Sequence, residues 1–370
     1  MINFNNKIKS LSDYPFERLR SLFSFIKKKH RRKLLDLSIG QPHHSYPSFV
    51  KRIIQRESNK WHLYPPLAGL EDLRKAYKNW LVRRFNLKTN SLTEDVLPLS
   101  GTREGLFLVA LTLDINNIVV PNPFYQAYIG ASLFQKSKVN YLTPSSLKTG
   151  FFNLKELEKN LQNKKSIVYF CSPSNPEGRI APSSYIKKLI KIVRENNAVL
   201  IIDECYIDIY YKTRPEGSIK VCEEVGKDLK NILIFHSLSK RSNIAGMRSG
   251  FIVGDEGIIS LFKRLRSYCA PAIPIPIQLV SAKLWEDDKH VKNNRLEYAK
   301  KVNYADKVLS KYKMYKKPDA GFYLWIYVKD GEKFAKELFA KYNIKVMPGK
   351  YLAKGFRNNP GKEYVRVALV

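Results

Sequence analysis

Short apolar runs alternate with stretches of helical spacing along most of this chain. Six runs stand out in its middle: 117–121 (NIVVP), 138–142 (KVNYL), 166–170 (SIVYF), 198–203 (AVLIID), 231–235 (NILIF) and 250–254 (GFIVG). Nearly continuous apolar runs of this length predict strands covered on both faces. Helical stretches between several of them predict parallel crossovers, and hence an α/β fold. Ahead of this unit, 15–29 and 69–85 predict helices, the second following the turn YPPLAG, and 37–47 predicts a loop. From about 285 the pattern changes to a long charged helix, an apolar run at 321–328, a helix at 331–342, and apolar runs at 344–348 and 364–370. That order predicts a smaller α+β unit, and 370 residues fit roughly two domains.

Composition narrows the classes. A hydrophobic content of 44% can fill a real core. There is no run of 18 apolar residues to span a membrane, and the opening MINFNNKIKS lacks the apolar centre of a signal peptide. Cys171, Cys205, Cys222 and Cys269 form no C-x-x-C pair, which speaks against a zinc ribbon or a disulfide framework and for a reducing cytoplasm. His43 and His44 read as solvated loop residues rather than metal ligands, because no third ligand is evident, and no metal is expected. The charge is unusual: 65 Lys and Arg against 33 Asp and Glu give +32. Such an excess can serve a nucleic acid or a membrane. Here it runs from end to end. The longest basic block, KKKHRRK at 27–33, follows the apolar LFSFI and reads as the solvated end of an amphipathic helix. Drift toward Lys, Asn and Ile accounts for the charge, so neither nucleic acid nor membrane is expected as a partner.

The candidate chemistry lies just after the strands. AVLIID ends in Asp203, a carboxylate where α/β sheets bind ligands. The run at 166–170 leads into SPSNPEG and Asn175, and NILIF leads into HSLSK with Ser237, Ser239 and Lys240. Arg248 follows in GMRSG, and a turn SGTREGL occupies 100–106. Taken singly, these residues have plain readings: Asp203 as a helix cap, Asn175 as a turn former, Tyr125 as core, Arg366 as an edge-strand cation, Tyr64 as a packed turn residue. Together they fit pyridoxal 5'-phosphate. Its aldehyde needs a lysine amine, its ring nitrogen a carboxylate, and its phosphate cations, hydroxyls and free backbone N–H groups.

YPPLAGLEDLR, SGTREGL, NPFYQAY, SPSNPEG, DECY, SLSK, GMRSG and VRVAL stand in the order of a known family. On these motifs the chain resembles the class I/II, fold-type I aminotransferases over nearly its whole length. Within that family YPFERLR, LSIGQP, SNIAGMRSGF, DAGFYLW and MPGKYLA resemble the succinyldiaminopimelate aminotransferases of lysine synthesis. Those enzymes exchange an amino group between N-succinyl-L,L-2,6-diaminopimelate and 2-oxoglutarate.

The resemblance implies a large cofactor domain over 48–284 with a mostly parallel seven-stranded sheet between helices. It implies a small α+β domain from 1–47 and 285–370, and a homodimer with shared sites. Lys240 would be the Schiff-base lysine, Asp203 the partner of the ring nitrogen, and Asn175 and Tyr206 the donors to the ring oxygen. Tyr125 would stack on the ring. Gly101, Thr102, Arg103, Ser237, Ser239 and Arg248 would surround the phosphate, with Tyr64 reaching over from the partner subunit. Arg366 would clamp the substrate α-carboxylate, with Gly40 beside it. A relative acting on aspartate, alanine, N-acetylornithine or an aromatic amino acid would carry the same motifs. A DNA-binding regulator on this fold would need a helix-turn-helix module ahead of SIGQP, where only about 35 residues stand.

Overall fold

The computed structural model describes residues 6–9, 13–26, 32–88, 91–93, 95–144, 150–226, 228–355 and 358–370. Its centre is a seven-stranded sheet. The strands are β1 (Val96–Leu99), β2 (Asn117–Pro121), β3 (Lys138–Leu142), β4 (Ser166–Cys171), β5 (Val199–Asp203), β6 (Ile232–Ser237) and β7 (Gly250–Gly254). They lie in the order β1-β7-β6-β5-β4-β2-β3, and only β7 runs antiparallel to its neighbours. The six apolar runs all become strands. The seventh strand, β1, contains Pro98 and is not singled out by its pattern. It occupies the sheet edge, where the missing N–H of a proline is tolerated.

Alternate side chains of the sheet face opposite layers, as strand geometry requires. Val119, Val168, Leu200, Ile202, Ile232 and Ile234 pack into one buried cluster. Ile118, Ile167, Ile201, Leu233, Phe235 and Ile252 pack into the other. The first layer is closed by two helices, α2 (Glu71–Phe85) and a later one, Ile275–Glu286, both rich in buried positions.

The ends of the chain meet in a separate cluster. Leu19 and Phe23 of α1 (Pro15–Ser24) pack with Phe339, Trp325 and Val365. Here β8 (Tyr323–Tyr327), β9 (Met347–Pro348) and β10 (Tyr364–Ala368) form an antiparallel sheet in the order β9-β10-β8. Two expectations change in detail. The first helix is capped at Phe25 rather than running to 29, and 27–31, with most of the basic block, lie outside the described residues. The long charged helix expected from about 285 forms as Lys289–Leu309, directly after the helix Ile275–Glu286. The run at 344–348 splits between two sheets: Ile344–Lys345 pairs with Leu35–Asp36, and Met347–Pro348 pairs with β10. Among the described residues no helix is long and apolar enough to cross a membrane.

Candidate active site

The carboxyl ends of β4, β5 and β6 open into one cleft, as parallel sheets direct. Asp203 ends β5 and is buried. The Tyr128 hydroxyl donates to its Oδ2 at 2.9 Å, and the Cys205 N–H donates to Oδ1 at 3.1 Å. Burial pushes its pKa up, and the bonds from Cys205 and Tyr128 offset only part of the rise. Among the described residues no cation is paired with it. A buried carboxylate so placed favours a cationic ring nitrogen.

Ser237 ends β6 and accepts the Ser239 N–H at 3.1 Å, which caps the short helix α3 (Leu238–Arg241). That helix carries Lys240 into the cleft. Its Nζ donates to the Gly40 carbonyl. Burial lowers its pKa, because desolvation penalises the charged ammonium. Arg248, in a left-handed backbone conformation, lays its guanidinium against Gly101. A Cβ at Gly101 would fall 2.0 Å from Arg248 Nη2, and its φ of +85° also demands glycine. Thr102 Oγ1 lies 3.2 Å from Cys205 Sγ.

Arg366 projects from β10, pairing in register with Trp325. Its Nη1 donates to Asn175 Oδ1 at 3.2 Å and its Nη2 to the Ser38 carbonyl at 3.1 Å. It is 4% exposed, and its Nε is buried with no partner. The acceptors around it are neutral, so a buried positive charge faces the cleft. At the rim, Arg103 Nε donates to the Tyr125 hydroxyl at 2.7 Å and Nη2 to the Tyr14 hydroxyl at 3.3 Å. Tyr206 donates to the Tyr323 hydroxyl at 3.3 Å.

Of the predicted site residues, all but Gly101 and Tyr64 line this one cleft. Gly101 sits directly behind Arg248. Tyr64 lies outside the cleft and is 101% exposed. The side chain of Arg103 points to the rim and bonds two tyrosines, a position that the reading of its backbone N–H did not anticipate. His44 departs from expectation too. It is partly buried: its Nδ1 is 3.1 Å from Asn294 Oδ1 and its ring centroid 4.4 Å from that of Tyr298, because its loop folds onto the helix Lys289–Leu309. Sequence reading did not assign Tyr14, Tyr128, Cys205 or Tyr323 to the site. Tyr128 carried a signal, since it stands three residues after Tyr125. Cys205 carried one too, standing between Asp203 and Tyr206, whereas Tyr14 and Tyr323 join the cleft from distant segments. No group of three or more His, Cys, Asp or Glu side chains able to hold a metal occurs among the described residues.

The donor set fits pyridoxal phosphate on the structure alone: a buried carboxylate without a cation, a buried amine, and hydroxyls and a guanidinium around a glycine turn.

A family model described as "Aminotransferase class I and II" matches residues 32–369. An LL-diaminopimelate aminotransferase of Dehalococcoides mccartyi is 29% identical, the match covering 100% of this chain and 95% of that protein. A probable aminotransferase of Mycobacterium tuberculosis is 28% identical, over 97% of this chain and 82% of that protein. Among solved structures, an aminotransferase from Neisseria meningitidis superposes with a TM-score of 0.92 at 34% identity, covering 99% of this chain and 95% of that one. The aminotransferase AspB from Helicobacter pylori superposes with a TM-score of 0.88 at 35% identity, covering 98% and 94%.

Proposed function

The chain belongs to the class I and II aminotransferases, which depend on pyridoxal phosphate, and from that premise we propose that it moves an amino group from N-succinyl-L,L-2,6-diaminopimelate to 2-oxoglutarate. The observation that carries the reading is a pair of guanidinium groups in one cleft. Arg366 is buried in its wall and Arg103 stands exposed at its rim, neither paired with a carboxylate among the described residues. Both proposed substrates carry an α-carboxylate, or its oxo-acid equivalent, and a second carboxylate farther along. Arg366 would take the first through two parallel charged hydrogen bonds, each worth about 1.5–3 kcal/mol. Arg103, oriented by Tyr14 and Tyr125, would meet the second. The name of the Dehalococcoides relative supports a diaminopimelate skeleton.

The roles of the chain's own groups follow from their surroundings. Lys240 Nζ, its pKa lowered by burial, takes up and returns the substrate Cα proton. Asp203 holds the ring nitrogen in its protonated form. Bound there, pyridoxal phosphate supplies an electron-withdrawing ring for the charge left at Cα. Gly101, Thr102, Ser237, Ser239 and Arg248 would hold the phosphate, with Tyr64 reaching it from a second copy. Tyr125 would cover the ring, and Asn175 and Tyr206 would hold its oxygen. Gly40, where a Cβ would strike Tyr323, would lie beside the carboxylate that Arg366 holds.

The test compares kcat/KM for N-succinyl-diaminopimelate, free LL-diaminopimelate, N-acetylornithine, aspartate and phenylalanine, each with 2-oxoglutarate. The succinylated donor should lead. A tenfold advantage for any other donor overturns the substrate and leaves the amino-transfer chemistry standing.

A further inference from the structure

Tyr323 begins β8 and is buried in the wall of the cleft, within reach of three functional groups. The Arg366 guanidinium lies over its ring, 4.3 Å from the centroid. Its hydroxyl accepts from the Tyr206 hydroxyl at 3.3 Å. The same oxygen rests against Gly40: a Cβ there would fall 1.8 Å from Tyr323 Oη and 2.6 Å from its Cζ. The Gly40 carbonyl in turn accepts from Lys240. One side chain therefore touches the proposed carboxylate clamp, Tyr206, and the backbone that receives the lysine.

These contacts use different parts of the residue. The ring face stabilises a cation, an interaction that strengthens when water is excluded. Arg366 needs such help, since its two hydrogen bonds go to neutral acceptors and its Nε has none. The hydroxyl does something else. Burial raises its pKa, but Arg366 and Lys240 together bring it below the ordinary phenol value. Tyr206 is held protonated by its own burial and by Tyr323.

We propose that Tyr323 is a positioning residue of two separable parts, in which the ring aims Arg366 at the substrate carboxylate and the hydroxyl sets Tyr206 and the Gly40 backbone beside Lys240. The proposal rests on Arg366 as the carboxylate clamp.

The probe is glutarate, a dicarboxylate that cannot react, titrated calorimetrically into the cofactor-loaded enzyme. Tyr323→Phe keeps the ring. It should bind glutarate within about threefold of wild type, keep KM, and lose roughly tenfold in kcat. Tyr323→Leu removes the ring. It should weaken glutarate roughly tenfold and raise KM for both substrates, while still retaining the cofactor. Glutarate binding to Tyr323→Leu at wild-type strength overturns the ring's role. A wild-type kcat in Tyr323→Phe overturns the hydroxyl's. Arg366→Ala separates the premise: if it binds glutarate normally, Arg366 is not the clamp, whatever the Tyr323 variants do. Should the leucine variant fail to fold, Tyr323→Met fills the volume and is read in the same way. Gly40→Ala gives an independent reading, because its Cβ would strike Tyr323. It should lose activity and weaken glutarate binding; a Gly40→Ala variant with wild-type kcat and wild-type glutarate binding counts against the proposal.

Discussion

Glu204 and His236 sit immediately next to two cofactor-side residues, Asp203 and Ser237, yet face away into the core. Both are 1% exposed. Glu204 Oε1 accepts the Ser218 N–H at 2.7 Å, while its Oε2 stands 3.7 Å from His236 Nε2, too far for a hydrogen bond. Neither that oxygen nor either ring nitrogen has a partner. Burial pushes the Glu204 pKa up to about 7 and the His236 pKa down to about 3, so between those pH values both are uncharged. The contact is not an ion pair there. Between pH 4.5 and about 7 the unfolded chain releases a proton from residue 204 that the folded chain keeps, so stability falls as pH rises through that window. The size is about 3 kcal/mol. His236 acts in the opposite direction between about pH 3 and 6.5, because the unfolded chain binds a proton that the fold rejects. Glu204→Gln removes the first effect and leaves the second. The melting temperature of Glu204→Gln relative to wild type should therefore climb from pH 4.5 to 7 and then level off. A difference that stays flat across this range means Glu204 is already ionised in the fold.

At the scale of elements, Asn294 joins three of them. It lies in the helix Lys289–Leu309, and its Nδ2 donates to the Lys240 and Arg241 carbonyls, each at 3.1 Å. Its Oδ1 accepts from Asn243 at 2.7 Å and faces His44 Nδ1. The helix, the lysine segment and the loop after Gly40 thus share one side chain. Arg241 ties the same segment from behind, through Asp208 and Asp288, both at 2.9 Å, and the Leu284 carbonyl at 2.7 Å. Asn294→Ala strands these buried groups. It should cost roughly 2–4 kcal/mol of stability, on the basis of about 1–3 kcal/mol for each unsatisfied partner. It should also lower kcat, since Lys240 and Gly40 lose a common anchor. Thermal unfolding and steady-state rates check this together, and an unchanged kcat in a destabilised protein would confine Asn294 to stability. Such ties show the limit of reading the sequence. The strands of 117–254 were legible because each is apolar without interruption. The chemistry of Asp203, Lys240 and Arg248 was legible because Asp203 ends such a strand, Lys240 follows the next and Arg248 stands just ahead of the last. Pro98 concealed an edge strand, since proline carries the opposite local signal. Asn294, Tyr323 and Tyr14 were not legible as site residues, because their partners lie far away in sequence and no local spacing records the meeting.

Of the two predicted residues that do not line the cleft, Gly101 backs Arg248 and Tyr64 faces solvent. Tyr64 is fully exposed, and Trp61 and Leu63 beside it are about half exposed, an apolar stretch facing solvent in a single copy. Gly69, which follows, packs against Pro98 and Gln278, and Gln278 accepts the Leu70 N–H at 2.6 Å, so the base of this segment is held to the body. A segment that is fixed at its base and bare at its tip suits insertion into a second copy, where the tyrosine hydroxyl would reach the phosphate near Arg248. The working unit is then expected to be a homodimer whose sites each draw on both chains. Tyr64→Phe alone should hold the cofactor roughly tenfold less tightly, which matches the loss of one hydrogen bond to a charged group. Lys240→Ala alone should be inactive. Mixing the two variants under conditions that exchange subunits is decisive. In the hybrid, the site with an intact Lys240 belongs to the Tyr64→Phe chain but receives Tyr64 from the other. If Tyr64 acts across the interface, that site is complete and activity returns with wild-type cofactor affinity. If Tyr64 serves its own chain, every active site in the mixture keeps the weakened affinity of Tyr64→Phe. Sedimentation of the same samples completes the test, since a fully active monomer at assay concentration would exclude a shared site.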